Sequence, residues 1–331
     1  MKKLHFYFGN QYDDLIGNRI IIVNGDITKE NFGLSQGELS QLSKNVYCVI
    51  NSAAKVAHYG DYSIFKNINV IGTQNVAKFC KFFNKRLYHI STLSISGNAF
   101  MGQAYVENNI TENITFRENN FYINQSLENV YVRSKFEAEK YVLEEIANGL
   151  NAYILRIGNL MPRISDGKFQ SNAGENAYAN RLLSFAKLGM IPDYLLNDYA
   201  EFTPVDTCAQ AIIKLIENPS KINRIFHLFN HNHVTVSELL DTFNKFLNIK
   251  IVSNEHFLEQ IDMILNRENS DELLSGILGD FDKNRKLIYN SNIKLNSDFT
   301  IKYLETIGFK WPTISKEYLT EFFKLLYKEE N

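Results

Sequence analysis

Apolar residues along the chain come in short runs that alternate with longer stretches of helical spacing. RIIIVNGD (Arg19 to Asp26) is a β-branched run closed by Asn-Gly-Asp, which predicts a buried strand and a turn. In VYCVINSAA, residues 46 to 50 are almost continuously apolar, the pattern of a parallel strand covered on both faces, and Asn51 to Ala54 bring small residues to its end. Tyr62 to Phe83 carries a helical period. KRLYHIST predicts a further strand, NVYVRSKFEAEKYV an amphipathic helix beginning near Asn129, and NAYILRIG (Asn151 to Gly158) another buried strand. Strand and helix in alternation predict an α/β fold with a doubly wound parallel sheet.

Two stretches interrupt this order. Gly102 to Glu128 is a long asparagine-rich loop without internal periodicity, the kind of segment that serves as a binding loop or lid. After Asn159 the chain turns polar and irregular through MPRISDGKFQSNAGENAYANRLL. EFTPVDTCAQAIIKLIEN and IFHLFN then predict a helix entered through Pro204 and Asp206, and a strand returning to the sheet. From Val234 onward the pattern is mostly helical, with Thr235 and Glu238 spaced as a capping box. The expected division is a sheet domain over 1–163, rejoined by about 201–230, and a smaller, mostly helical domain over 164–331.

Composition narrows the function classes. The 331 residues are 45% hydrophobic and 13% aromatic, ordinary for a globular protein with a substantial core. Lysine plus arginine (35) nearly balances aspartate plus glutamate (37), so no basic field points to nucleic acid. No apolar run approaches the roughly 20 residues that cross a bilayer, and MKKLHFYFGNQYDD lacks the apolar core and cleavage site of a signal peptide. The expectation is a cytoplasmic protein without a membrane partner. Cys48, Cys80 and Cys208 are too few and scattered for a disulfide framework or a zinc site. His231 and His233 flank Asn232 without a third ligand nearby, so no metal is expected. Among the 17 glycines none form a G-x-G-x-x-G or G-x-x-G-x-x-G, and GILG at Gly276 to Gly279 reads as a turn.

The candidate chemistry sits on the helix after Asn129. Four-residue spacing puts Tyr131 and Lys135 on one face, with Ser134 beside them. An ammonium so placed favours phenolate over phenol, and the expectation is a tyrosine pKa below its reference of about 10. The bland alternative is a pair of surface residues, and Tyr62 and Lys66 repeat the spacing. Thr92 ends the KRLYHIST strand, at the carboxyl edge where ligands sit in open parallel sheets. Its hydroxyl either holds a carbonyl next to Tyr131 or merely caps the turn.

Taken together, NGDITKENFGLS, VINSAAKVAHYGDYSIFKNINVIGTQNV, HISTLSISG, YVRSKFEAEKYV, LRIGNLMPRISDGKFQSNAGENAYANR and FTPVD, in this order, resemble the extended short-chain dehydrogenase/reductases. Within them the chain resembles the thioester reductase domains of nonribosomal peptide synthetases and carboxylic acid reductases. SDGKFQSN with a following Asn176 favours these over sugar epimerases. The resemblance implies a Rossmann-like fold and a Thr92, Tyr131 and Lys135 triad, with Lys135 also binding the nicotinamide ribose. It implies that Asp26 and Ile27 lie beside the adenine, Asn51, Ala53 and Ala54 along the ribose and phosphates, and Gly158 and Asn159 near the nicotinamide amide. Asn69, Gly72 and Thr73 match a helix signature that reads as structural.

The implied cofactor is NADP(H), and the implied reaction reduces an acyl or peptidyl thioester on a phosphopantetheine-loaded carrier protein to an aldehyde, or further to an alcohol. Residues 164–331 would then bind substrate and carrier. The chain departs from the family in that its first βαβ unit, with the glycine loop, does not precede the NGDITK segment. Residues 1–163 therefore read as a truncated dinucleotide-binding domain, with an upstream domain as candidate donor of that loop. The alternatives are a catalytically dead or split fragment serving as a binding module, or an enzyme of the fatty acyl reductase or nucleotide-sugar epimerase kind.

Overall fold

The computed structural model describes residues 2–57, 60–97, 114–125, 127–172, 176–265, 274, 276–277 and 293–328. Helices α1 (Lys2–Phe8) and α2 (Gln36–Asn45) precede strand β1 (Cys48–Asn51). α2 opens on a capping box between Ser35 and Glu38, which satisfies two amides that a helix start leaves unpaired. A long helix follows in three parts: α3 (Tyr62–Phe65), a π turn (Lys66–Ile71) and α4 (Gly72–Phe82). Next come β2 (Arg86–Thr92), β3 (Ile114–Phe116), α5 (Val130–Ala147), β4 (Ala152–Ile157) and β5 (Leu160–Met161). Then follow α6 (Ala177–Leu188), β6 (Met190–Pro192), β7 (Tyr199–Ala200), β8 (Thr203–Pro204), α7 (Val205–Glu217) and β9 (Ile225–Leu228). The rest comprises β10 (Val234–Thr235), α8 (Val236–Phe243), β11 (Lys250–Val252), α9 (Asn254–Leu265), β12 (Ile293–Leu295), α10 (Asp298–Thr306) and α11 (Lys316–Lys328).

The main sheet has the order β1-β2-β4-β9, and β1 runs parallel to β2 with Asn51 opposite His89. This is the expected α/β architecture with a parallel, Rossmann-like sheet. Apolar runs made these strands because both faces are covered: all six residues of β4 are buried. On one face, Val76, Phe79 and Cys80 of α4 and Val142 of α5 close over Leu87 and Ile154. On the other, Tyr88 stacks on Tyr153 with ring centroids 5.2 Å apart.

By contacts the chain divides into two compact units, one from 1–97, 126–156 and 221–226, the other from 98–125, 157–220 and 227–331. The second has its own core, in which Phe202 meets Phe322 edge to face and Phe243 packs on Phe323. Among the described residues no helix is long and apolar enough to cross a membrane, and no group of three potential ligands could hold a metal ion.

Several expectations fail. Arg19 to Asp26 is not a buried strand: apart from a bridge between Ile16 and Ile20 it is irregular, and Ile21, Ile22 and Val23 are 72%, 64% and 50% exposed. Among the described residues its apolar run has no ladder neighbour, and β propensity without cross-strand partners does not make a strand. β1 is likewise not covered on both faces, since Ile50 is 44% exposed. In the predicted long loop, residues 102–113 and 126 lie outside the described residues. Residues 114–116 form β3, which pairs in parallel with β12. Of the GILG turn only Gly276 and Ile277 are described. Gly276 lies so close to helix α6 that a Cβ would stand 2.1 Å from the Asn180 carbonyl oxygen.

Candidate active site

Thr92 is the last residue of β2, and its Oγ1 accepts the Ser94 amide at 3.1 Å, capping the short turn that follows. The cap leaves the hydroxyl proton able to point elsewhere, and the side chain also shares a hydrogen bond with Tyr131. The capping reading therefore holds, and the hydroxyl stands next to Tyr131 as well. Tyr131 stands in the first turn of α5, where the Asn129 side chain caps the helix by accepting the amides of Tyr131 and Val132 at 3.0 and 3.1 Å. One turn on, Lys135 is buried and its Nζ donates to the Ile90 carbonyl at 2.6 Å. Helix α5 and the end of β2 thus bring Thr92 and Tyr131 together, with Lys135 anchored two residues before Thr92 on the same strand.

The direction of the tyrosine's shift is the opposite of the expected one. Burial holds the Tyr131 pKa above its usual value, and only the Thr92 hydrogen bond works against it. The lysine is directed at the Ile90 carbonyl, and withdrawing a phenolate from water costs more than the hydroxyl returns. Tyr131 is accordingly a neutral phenol at neutral pH, a proton donor. Lys135 is lowered to about 8, because burial penalises the ammonium more than the Glu139 charge supports it.

Asn69 braces this arrangement. It accepts the Lys55 amide at 2.7 Å, donates to the Lys55 carbonyl at 3.0 Å, and donates to Ser134 Oγ at 2.8 Å. Ser134 in turn donates to the Tyr131 carbonyl at 2.8 Å. The π turn carries Asn69; such turns are rare and recur at functional sites. Gly72 begins α4, where a Cβ would lie 2.6 Å from Ile27 Cδ1.

The remaining predicted residues are scattered. Asp26 is exposed and accepts the Thr28 amide and hydroxyl at 2.9 and 2.7 Å, which hold its pKa below the usual range. Ile27 packs against α4, and its carbonyl accepts from Asn75 at 2.8 Å. Asn51 is buried, and its amide donates to Thr73 Oγ1 at 3.2 Å and lies 3.4 Å from His89 Nδ1, so it acts as a brace. Ala53 is exposed and Ala54 half-buried just beyond β1. The second Tyr-x-x-x-Lys pair builds nothing comparable: Tyr62 lies against the Arg133 guanidinium at 4.3 Å, and Lys66 is exposed. His233 packs on Tyr199 and Phe229.

Gly158 and Asn159 lie in the other unit, with a partner that the residue pattern does not reveal. The Asn159 amide donates to Glu201 Oε2 at 2.8 Å, and Thr203 Oγ1 donates to Glu201 Oε1. Burial pushes Glu201 up to about 7 against these two bonds. A Cβ at Gly158 would stand 2.4 Å from Glu201 Oε1 and 2.6 Å from Phe229 Cβ. Gly158→Ala is expected to destabilise the protein by about 1–3 kcal/mol through overpacking, measured as a lower urea midpoint; an unchanged midpoint would show that the site relaxes freely.

A second such feature is a buried charge network behind the triad. Arg156 and Glu139 are both fully buried and paired, with Nη2 and Nε at 2.7 and 3.0 Å from Oε1. Ser91 donates to Glu139 Oε2 at 2.5 Å. The network joins β2, α5 and β4. A glutamate four residues after Lys135 and an arginine inside an apolar strand are its only signals in the sequence.

The parallel α/β sheet thus carries a hydroxyl at the end of β2 that is hydrogen-bonded to a phenol on α5, with a buried ammonium one turn further on. The chain belongs to the NAD-binding family described as male sterility protein, whose family model matches residues 3–212. It is 24% identical over 280 residues to the L-2-aminoadipate reductase large subunit of Candida glabrata, covering 81% of this chain and 20% of that protein. With a linear gramicidin synthase subunit of Brevibacillus parabrevis it shares 25% over 252 residues, 76% of this chain and 5% of that one. The chain thus spans a fifth or less of the length of these curated relatives. Its fold is similar to that of a thiolation-reductase di-domain from an archaeal nonribosomal peptide synthetase. There the TM-score is 0.83 and the identity 32%, over 99% of this chain and 66% of the other.

Two features of the first unit fit the nicotinamide side of such a cofactor. Among the described residues Lys135 Nζ donates only to the Ile90 carbonyl, and an ammonium carries three donors. Beyond β1, Ser52 and Ala53 are small and exposed, so a ligand can approach the backbone. The pyrophosphate side is different, since no glycine-rich strand-to-helix turn occurs in the sequence.

Proposed function

We propose that this chain carries the catalytic centre of an NADP(H)-dependent reductase acting on an acyl or peptidyl thioester held by a phosphopantetheine-loaded carrier protein. The observation that carries this is the hydrogen bond between Thr92 and a neutral, half-buried Tyr131, with the buried Lys135 one turn away. NADPH, when bound, supplies the hydride. Thr92 holds the thioester oxygen, and Tyr131 gives its phenolic proton to that oxygen as it becomes a hydroxyl. The resulting hemithioacetal returns the proton to Tyr131 as the carbon–sulfur bond breaks, which frees the aldehyde and a thiolate that takes a proton from water. Lys135 orients the ribose and supports the transient phenolate.

Because Lys135 titrates at about 8, turnover is expected to fall as pH rises through 8, by about tenfold per unit beyond it. Unfolding would not account for the loss. The folded pKa lies below the unfolded value of about 10.4, so between the two the unfolded chain binds more protons and this group's contribution to stability rises with pH. A rate profile flat to pH 10, with the protein folded, would remove Lys135 from the mechanism.

The finer part of the proposal concerns the phosphate site. β1 ends the sheet, and the exposed Ile21 to Val23 run has no ladder partner among the described residues. Both support a strand, glycine-rich turn and helix laid along β1, whether carried upstream in the same polypeptide or on another. Several amide-to-phosphate bonds, each about 1.5–3 kcal/mol, depend on that unit. The test is to fuse such a unit ahead of Met1, add NADPH and an acyl-loaded carrier protein, and trap the product. One aldehyde per NADPH oxidised is expected, and turnover of a sugar nucleotide alone would overturn the reading.

A further inference from the structure

In the second unit, the loop after β9, helix α10 and the segment from Phe309 to Trp311 line a cavity of about 150 Å³. Its apolar wall is made by Leu304, Phe309 and Trp311, all buried, with Phe309 meeting Trp311 edge to face at 5.2 Å. Two nitrogens of the lining, Trp311 Nε1 and His231 Nδ1, are buried without a hydrogen-bond partner among the described residues. Trp311 is only 6% exposed. Well over nine in ten buried polar groups are paired in native proteins, so two orphans on one cavity point to a ligand that pairs them. Glu305 and Lys310 also line it, both exposed, and no ion pair joins either to another described residue.

We propose that this cavity binds a free α-amino acid with an apolar side chain. Its carboxylate would take the Trp311 indole N–H and the Lys310 ammonium, its ammonium would face Glu305, and its side chain would pack on Leu304 and Phe309. The choice follows from what each simpler ligand leaves undone. A hydrocarbon would leave both ring nitrogens orphaned. An anion would leave Glu305 uncompensated beside it, and a cation offers nothing to an indole N–H, which can only donate. Burial holds His231 below its usual pKa, so a neutral ring can donate or accept as the ligand requires. A cavity of this size holds one benzene ring, which suits an isobutyl or phenyl side chain. The site is independent of the proposed reductase chemistry.

Trp311 is the only tryptophan of the chain, so its emission reports on this site alone. The full chain is titrated with L-leucine, leucinamide, 4-methylpentanoate and glycine. L-leucine is expected to change the emission saturably with half-saturation below about 1 mM, and each analogue to bind at least about tenfold more weakly. Glu305→Gln and Lys310→Gln are each expected to weaken L-leucine at least about tenfold while the urea midpoint stays put, because both side chains are exposed. No saturable change with L-leucine, either singly charged analogue binding within tenfold of it, or variants that bind like the parent would overturn the proposal.

Discussion

Tyr131→Phe is expected to lower aldehyde formation by about 10²–10⁴-fold, the range for removing a positioned general acid. The fold should hardly notice. The substitution removes one hydroxyl and its bond with Thr92, worth about 1 kcal/mol, and leaves the ring and the Asn129 cap in place. Thr92→Val is a useful companion because it removes the same hydrogen bond from the other side while leaving the phenolic proton. Its loss of rate should be smaller, about ten- to a hundredfold. Single-turnover kinetics on the fusion described above give both numbers, and circular dichroism reports the fold. Turnover by the Tyr131→Phe protein within about tenfold of the parent would remove the phenol from its role as proton donor.

Arg156→Met is expected to cost about 3–5 kcal/mol, because it strands the buried Glu139 carboxylate with the Ser91 hydroxyl as its remaining donor. Total stabilities run to about 5–15 kcal/mol, so this one change can unfold much of the population at physiological temperature. The double variant Arg156→Met with Glu139→Leu should recover most of the loss, since a buried pair replaced by apolar groups of similar volume is often neutral. Urea unfolding of the parent, both singles and the double measures the coupling directly. A single variant within about 1 kcal/mol of the parent would show that the pair is dispensable. The two experiments separate chemistry from scaffold: the first lowers the rate and keeps the fold, and the second lowers the stability of the fold itself.

How far these features can be read from the residues depends on how local their causes are. The strands at Cys48, Arg86 and Ala152 and the helix at Val130 follow from apolar runs and helical spacing, and the meeting of Thr92, Tyr131 and Lys135 follows from strand order. Arg19 to Asp26 misleads because a strand is a property of a ladder, and its neighbour is not specified by the run itself. β3 and β12 are three residues each and nearly 180 positions apart, beyond any window of periodicity. The π turn leaves no mark in the pattern, although the asparagine it carries belongs to a recognisable signature. Spacing misleads about the tyrosine's shift because it shows the nearby charge and hides the desolvation, which here is the larger effect. Glu139, Arg156 and Glu201 escape notice for the same reason: a charge inside an apolar segment reads as surface until its burial is known.

The open edge of β1 also bears on how this protein behaves while it is being made. Among the described residues the outer edge of β1, which carries the exposed Ile50, has no ladder partner, and such an edge accepts any extended segment that arrives first, including the same strand of a sister molecule. Produced alone at high concentration, the chain should oligomerise through that edge, and light scattering would rise steeply with concentration. Synthesis alongside a cognate strand would suppress the rise, so its yield of usable protein depends on the timing of an encounter as much as on its own stability.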